Sequence, residues 1–351
     1  MSRILKFTTL LLVLIVLFYI VLFSQDNNTL NTKDNFVHFI AVGDVMIGRG
    51  VNSAINKRGI NWPFNDFSKY SNQADIVFGN AEFTCIGNSP IKEKYILGTS
   101  TSSVKSLQLA GFNLVSLANN HILDYGSEGL LMLLNELDSL NILYSGAGKT
   151  AKEANKPILI KKNGNTICFL SYSLFSNTRK SANENIPAIS VFSQQQLVTD
   201  LKEANKFGNI IIVSFHWGVE YSSYPTIYQQ KIAHIAADNG ANIIIGHHPH
   251  VIQGVELYKN SIILYSLGNF IFDSRDIKTK EGLIFECLLS SNTISNPALT
   301  PLYIDKLKTT FTDSSTYFYR IENEINVLSK IFNTHIIYKK GKLYISHKKK
   351  D

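Results

Sequence analysis

Seven short apolar runs separated by helix-like stretches constrain this sequence more than any other feature. They lie at 36–42, 75–78, 113–117, 166–172, 209–215, 241–245 and 261–267. Several, such as NIIIVSF at 209–215, are continuously apolar rather than alternating, as strands covered on both faces are. Helical spacing is predicted at 102–110, 127–140, 193–207 and 225–238, with Pro225 suited to a first helical turn and Gly240 to a stop. Strands alternating with helices indicate a layered α/β fold, and no repeat of fixed period is present. After residue 292 the pattern is less regular: 317–332 reads as one amphipathic helix, followed by a hairpin of 336–338 and 342–345 around Lys340-Gly341.

The start of the chain is of a different kind. Residues 7–23, FTTLLLVLIVLFYIVLF, hold no charge and are long enough to span a bilayer as a helix. The run ends Val-Leu-Phe-Ser-Gln, without the small residues of a cleavage site, so an uncleaved anchor is expected. Arg3 and Lys6 precede the run and Gln25-Asp26-Asn27-Asn28 follows it, which places the body outside the cytoplasm. The expected organisation is an N-terminal transmembrane helix at 1–24, a polar tether at 25–36, one α/β domain at 37–292, and an irregular C-terminal extension with a basic tail at 293–351. The expected location is the cell membrane, single-pass.

The formal net charge of +7 invites a nucleic-acid reading, but the charge is collected at the chain ends. Residues 338–351 hold six lysines against one aspartate, and with Arg3 and Lys6 set aside the remainder has 26 basic and 26 acidic residues. Binding to a phosphate backbone needs Lys and Arg spread over a docking face, so no nucleic-acid partner is expected. The tail reads either as a solvated end or as a segment attracted to anionic lipid or polymer. Cys85, Cys168 and Cys287 lie far apart, without CxxC spacing, and offer no disulfide framework or zinc ribbon.

Unusual polar residues follow the apolar runs. Asp44 follows HFIAVG, Glu82 follows DIVFGNA, Asn119, Asn120 and His121 follow NLVSLA, and His216 follows IIIVSF. His247, His248 and His250 follow NIIIG, and Asn269 follows ILYSLG. The carboxyl ends of strands border the ligand crevice of an open α/β sheet, so these segments can converge on one site. His, Asp, Glu and Asn together suit a transition-metal cation such as Mn, Zn or Fe better than Mg or Ca. In His248-Pro249-His250 an extended chain would put both imidazoles on one side. Each residue also has an ordinary reading: a histidine satisfied by backbone groups, Asp44 as a helix cap, Asn120, His121 or Asn269 as turn formers. Asp124, Glu220, Glu256 and Asp273 are candidates to orient ligating imidazoles, and Trp217 reads as packing.

Taken together, GDVMIGRG at 43–50, GNAEF at 79–83, SLANNHILDYG at 116–126, HWGVEY at 216–221, IIGHHPHVIQGVE at 244–256 and YSLGNFIFD at 265–273 resemble the CapA (poly-γ-glutamate capsule synthesis) family. That family is part of the calcineurin-like metallophosphoesterase superfamily, and the resemblance runs from about residue 39 to 285. It implies an αββα sandwich with one or two divalent metal ions at its strand ends. By the same resemblance Asp44, Glu82, Asn120, His216, His248 and His250 are metal ligands and His121 supports a leaving oxygen. Asn80, Asn119, Asp124, Glu220, His247 and Asn269 are additional or supporting positions. The implied role is synthesis or export of an anionic capsule polymer, with synthase subunits and the polymer itself as partners. The chain departs from the superfamily pattern at Met46, where a histidine ligand is usual, and a thioether is a poor partner for such cations. His247 could take that place. Two function classes therefore stand open, a metal-dependent hydrolase of phosphoryl or amide bonds and a membrane-anchored accessory protein.

Overall fold

The computed structural model describes residues 35–88, 94–175, 186–291, 293–311 and 316–347. The expected anchor at 1–24, most of the tether, and Lys348, Lys349 and Lys350 of the tail lie outside the described residues, among which no helix is long and apolar enough to cross a membrane.

The chain first lays down four parallel strands: β1 (Val37–Val45), β2 (Ile76–Ala81), β3 (Leu114–Ser116) and β4 (Leu143–Ser145). The connections carry α1 (Arg49–Arg58), α2 (Phe67–Ser71), α3 (Thr101–Leu109) and α4 (Gly126–Ser139). A second sheet follows, from β5 (Ile158–Lys162), β6 (Asn165–Ser173), β7 (Ile210–His216), β8 (Ile243–His247), β9 (Val255–Tyr258) and β10 (Ser261–Leu264), with α5 (Gln194–Phe207) and α6 (Ile227–Asp238) as crossovers. Its spatial order is β9-β10-β8-β7-β6-β5. The chain then returns to the first sheet through β11 (Asn269–Ile271), β12 (Glu281–Ser290), β13 (Thr293–Asp305), β14 (Lys308–Thr310), α7 (Thr316–Lys330), β15 (Thr334–Lys339) and β16 (Lys342–His347). The order there is β15-β16-β13-β12-β1-β2-β3-β4, with β11 against β1 and β14 against β13.

Strand periodicity divides the apolar residues into three layers of core. Phe39, Ala41, Ile76 and Phe78 face Phe169, Ile212, Ile243 and Ile245 between the two sheets. The intervening residues Ile40, Val42 and Val77 pack outward on Val51, Leu107 and Leu133 of the first helical layer. Ile211, Val213 and Phe215 pack outward on Leu197, Leu201, Ile232 and Ala236 of α5 and α6. The result is helix on sheet on sheet on helix, and it explains the unbroken apolar runs: both faces of each central strand are covered. Local signals agree with the long-range ones. Thr226 and Gln229 form a capping box at the start of α6, which begins two residues after Pro225, and Gly240 adopts φ +101° past its end.

Residues 293–347, expected as an irregular extension, instead complete the first sheet. Pro297 and Pro301 in TISNPALTPLYID argue against a strand in the sequence. In the fold the ladder between β12 and β13 shifts register between Glu286 and Leu288, opposite Pro297, and β16 pairs only with Ala298 and Leu299, so Pro301 removes no donor there. The expected hairpin is present and longer, with Lys340 and Gly341 both at positive φ.

Candidate metal centre

Strand register assembles the site. β1 and β2 run three residues beyond their predicted ends, past the apolar stretch, because pairing continues through the polar residues: Asp44 lies opposite Asn80 on one side and Asn269 on the other. In the second sheet His216 lies opposite His247 at the ends of β7 and β8. Gly43 lets β1 approach β11 closely enough for the Asp44 amide to donate to the Gly268 carbonyl at 3.0 Å, and a Cβ at Gly43 would overlap that oxygen. Asp44 is therefore the end of a strand and not a helix cap.

Asn80 is the hub of the polar cluster. Its Nδ2 lies 2.8 Å from Asp44 Oδ1, 3.2 Å from Glu82 Oε2 and 3.3 Å from His216 Nδ1. Asn119 supports Asn80, donating to its Oδ1 at 3.3 Å and to the Ala81 carbonyl at 2.9 Å. His216 Nε2 is 2.7 Å from Asn120 Oδ1. His250 Nδ1 is 3.0 Å from Asn269 Oδ1 and 3.3 Å from Asp44 Oδ2, while the His248 amide donates to Asp44 Oδ2 at 3.2 Å. His121 Nδ1 pairs with Asp124 Oδ2 at 2.8 Å, and the Leu97 amide donates to the same oxygen at 2.9 Å.

Three overlapping sets place ligand atoms within 4.8 Å of one another: Glu82 with His216 and His248; Asp44 with Glu82 and His250; and Glu220 with His248 and His250. Asp44 and Glu82 are wholly buried, and among the described residues Glu82 Oε1, His247 Nε2 and His248 Nδ1 have no hydrogen-bond partner, while His247 Nδ1 lies 3.3 Å from Asp44 Oδ1. Unpartnered buried acceptors of this kind are costly unless a further group satisfies them, and carboxylate and imidazole are the donors a borderline divalent cation takes. The residues present fit such a cation.

The electrostatics point the same way. Burial, then the charge of Asp44, pushes the Glu82 carboxyl well above its ordinary range. Burial would also raise Asp44, but the neighbouring His247 and His250 outweigh it and hold that carboxyl well below the usual value. Burial and nearby imidazoles keep His216 well below the ordinary histidine range and bring His248 to about 3, so both are neutral donors. Burial opposes protonation of His250, yet Glu82 and Asp44 raise it to about 9.

All the strand-end residues singled out in the sequence come together, with differences of detail. His248 and His250 do not sit on an extended chain: both have positive φ, +95° and +58°, and their rings meet 5.8 Å apart through a tight loop. Backbone held this way is costly for a non-glycine residue and is concentrated at functional sites. Glu256 serves another network, accepting from Tyr265 Oη at 2.6 Å and lying 3.0 Å from His234 Nε2. Asp273 pairs with Arg49 and not with a ligating imidazole. Met46 turns away from the cluster into the apolar core, its sulfur accepting from the Gly48 amide at 3.1 Å. Trp217 stacks on Phe215 and donates to the Tyr265 carbonyl, as packing. Above the centre a cavity of about 620 Å³ is lined by His121, His250 and Asn269 and also by Arg49, Tyr95 and Tyr221. The last three had not been singled out, although an arginine between two glycines in IGRG is a signal that could have found Arg49.

Residues 38–274 match the family described as bacterial capsule synthesis protein PGA_cap. The chain belongs to that family. It is 34% identical over 276 residues to the PGA biosynthesis protein CapA of Bacillus subtilis (strain 168), covering 78% of this chain and 73% of that protein. It is 33% identical over 274 residues to the capsule biosynthesis protein CapA of Bacillus anthracis, covering 76% and 67%. Among solved structures it is similar to the calcineurin-like phosphoesterase YfkN from Bacillus subtilis, with a TM-score of 0.45 and 11% identity over 84% of this chain and 99% of that one.

Proposed function

We propose that this protein acts in the cell envelope in the synthesis or export of an anionic capsule polymer such as poly-γ-glutamate, using a divalent-cation centre held by Asp44, Glu82, Asn120, His216, His248 and His250. The observation that carries the reading is the convergence, in a member of a capsule synthesis family, of two wholly buried carboxylates with three imidazoles at strand ends. The charge-free run at 7–23 acts as a single-pass anchor, with the body outside the cytoplasm. Synthase subunits and the polymer are the expected partners.

Mn, Zn or Fe, as one or two ions, suits the donor set, and when bound supplies Lewis-acid stabilisation of negative charge on a phosphoryl or carbonyl oxygen. The chain's own residues do the rest. The two Nδ2 hydrogens of Asn80 are shared among Asp44, Glu82 and His216, with Asp44 the shortest contact. Asp124 fixes His121 through Nδ1, leaving Nε2 as the nitrogen able to exchange a proton with a group in the cavity that His121 lines. That pairing favours a second reading, a metal-dependent phosphoesterase or amide hydrolase acting on an envelope substrate.

Deleting the gene in a capsulated strain should lower surface anionic polymer, and the wild-type gene should restore it while Asp44→Asn and His216→Ala should not. Full complementation by both variants would show that the centre is not used. His121→Ala separates the two readings, since a hydrolase needs its proton transfer and an accessory protein does not. Protease added outside intact cells should digest the body, and protection from it would overturn the topology.

A further inference from the structure

We infer that Arg49 is a specificity-determining residue that grips an oxyanion of the substrate, a carboxylate or a phosphate, at the mouth of the metal centre. The inference rests on the cation-centre reading, because Asp44, Glu82 and Glu220 would otherwise repel an anion from the cavity.

The first observation is conformational. Arg49 has φ +47° between Gly48 and Gly50, where a third glycine would be free of strain. A non-glycine residue held at such a position beside a candidate site is a pointer to function, which the next two observations develop. The second is orientation. Arg49 Nη2 lies 2.6 Å from Asp273 Oδ1, Arg49 Nε donates to Asp273 Oδ2 at 3.1 Å, and the Gly50 amide donates to Oδ2 at the same distance. Asp273 is nearly buried, with 14% side-chain exposure, while Arg49 keeps 41%. The Nε hydrogen bond and the Nη2 ion-pair contact set the guanidinium plane against Asp273 and leave further N–H donors for a ligand. The third is location. Arg49 lines the same cavity as His121, His250 and Asn269, and Lys94 is a second cation on its wall, with Glu220 the carboxylate among the described lining residues. A fork of fixed N–H donors beside a cation centre is the arrangement that recognises planar or tetrahedral oxyanions by paired hydrogen bonds.

An alternative is that the pair only pins the start of α1 to the loop after β11. A half-exposed ion pair stabilises too little to repay a strained backbone, and that role would not require the arginine to face the cavity.

Calorimetric titration of the full-length protein loaded with Mn²⁺ tests the inference, using three probes: a γ-linked glutamate tetramer, its neutral γ-linked glutamine analogue, and phenyl phosphate. Metal content is read on the same samples. The tetramer, phenyl phosphate or both should bind and the neutral analogue should not, and the tighter of the two anions identifies carboxylate or phosphate as the natural group. Arg49→Gln should weaken anion binding at least tenfold with metal content unchanged, Arg49→Lys should fall between, and Asp273→Asn should weaken it severalfold by freeing the guanidinium. Equal binding of the neutral analogue, or anion binding by folded Arg49→Gln and Arg49→Lys at wild-type strength, would overturn the inference. A wild type without metal that still needs Arg49 for the anion would remove the cation centre and leave the grip standing. A metal-loaded wild type whose anion binding ignores Arg49 would do the reverse.

Discussion

Two of the carboxylate–imidazole clusters among the described residues, at Glu256 and at the strand ends, differ in how their acceptors are satisfied. In the Glu256 cluster both carboxylate oxygens lie 3.0 Å from His234 Nε2, Tyr265 donates to one of them at 2.6 Å, and the His234 ring stacks on Tyr258. Protein groups complete it. In the strand-end cluster five histidines gather with Asp44, Glu82 and Asp124, yet among the described residues Glu82 Oε1, His247 Nε2 and His248 Nδ1 have no hydrogen bond. The first cluster joins α6 to β9 and to Tyr265 just after β10, and the second leaves donor atoms that the proposed cation centre would use.

Breaking the strand-end cluster should have the largest effect. His248→Ala and His250→Ala each remove a direct donor, and metal affinity should fall by more than the roughly 10–100-fold typical of losing a supporting partner. The stabilisation that a cation confers, about 2.7 kcal/mol at a hundredfold excess over Kd, should vanish with it. Metal content and thermal melting with and without chelator measure both, and a wild-type metal load in either variant would count against the ligand assignment.

Breaking the self-satisfied cluster should do the opposite. Glu256→Ala leaves the buried Tyr265 hydroxyl without its acceptor and should cost about 2–3 kcal/mol in denaturant unfolding while metal content stays at the wild-type level. A fall in metal content would join the two clusters that the geometry separates.

Glu286 sharpens the comparison through pH. Burial alone would raise its carboxyl, but His38, Lys342 and Tyr70 outweigh burial and hold it at about 2, against an ordinary 4.5. Because the folded value is the depressed one, the stabilisation is complete above about pH 4.5 and is lost as pH falls from there toward 2. After allowance for solvent screening at half-open Lys342 it amounts to about 2 kcal/mol. Glu286→Gln should flatten the acid limb of the stability profile by that amount, and an unchanged limb would contradict the assignment. The smallest effect is expected at His234, where His234→Ala should cost about 1 kcal/mol and leave metal content unchanged.

The central layers were legible because their runs are covered on both faces, so hydropathy alone marks β1, β7 and β8. The strand-end residues were legible for a related reason: a polar group directly after such a run has few places to go but the crevice. What the sequence could not disclose is set by pairing. β13 carries two prolines and becomes a strand only because a register shift accommodates one and a short ladder with β16 the other. The tight loop that brings His248 and His250 together depends on positive φ at both, which neither residue type announces. Asn80 looked like one supporting residue among several, and its place between Asp44, Glu82 and His216 follows from the β1–β2 register. Glu256 and Asp273 were matched to the wrong partners because both true partners, His234 and Arg49, are distant in sequence.

The most direct test of the cation centre is the metal content of the full-length protein, purified without chelator at neutral pH and measured by atomic emission, together with its melting temperature before and after chelation. One or two equivalents of Mn, Zn or Fe per chain, with a melting temperature that falls on chelation and recovers when metal is restored, is the predicted result. A protein that holds no divalent metal, cannot be loaded with one, and melts at the same temperature in chelator would contradict it.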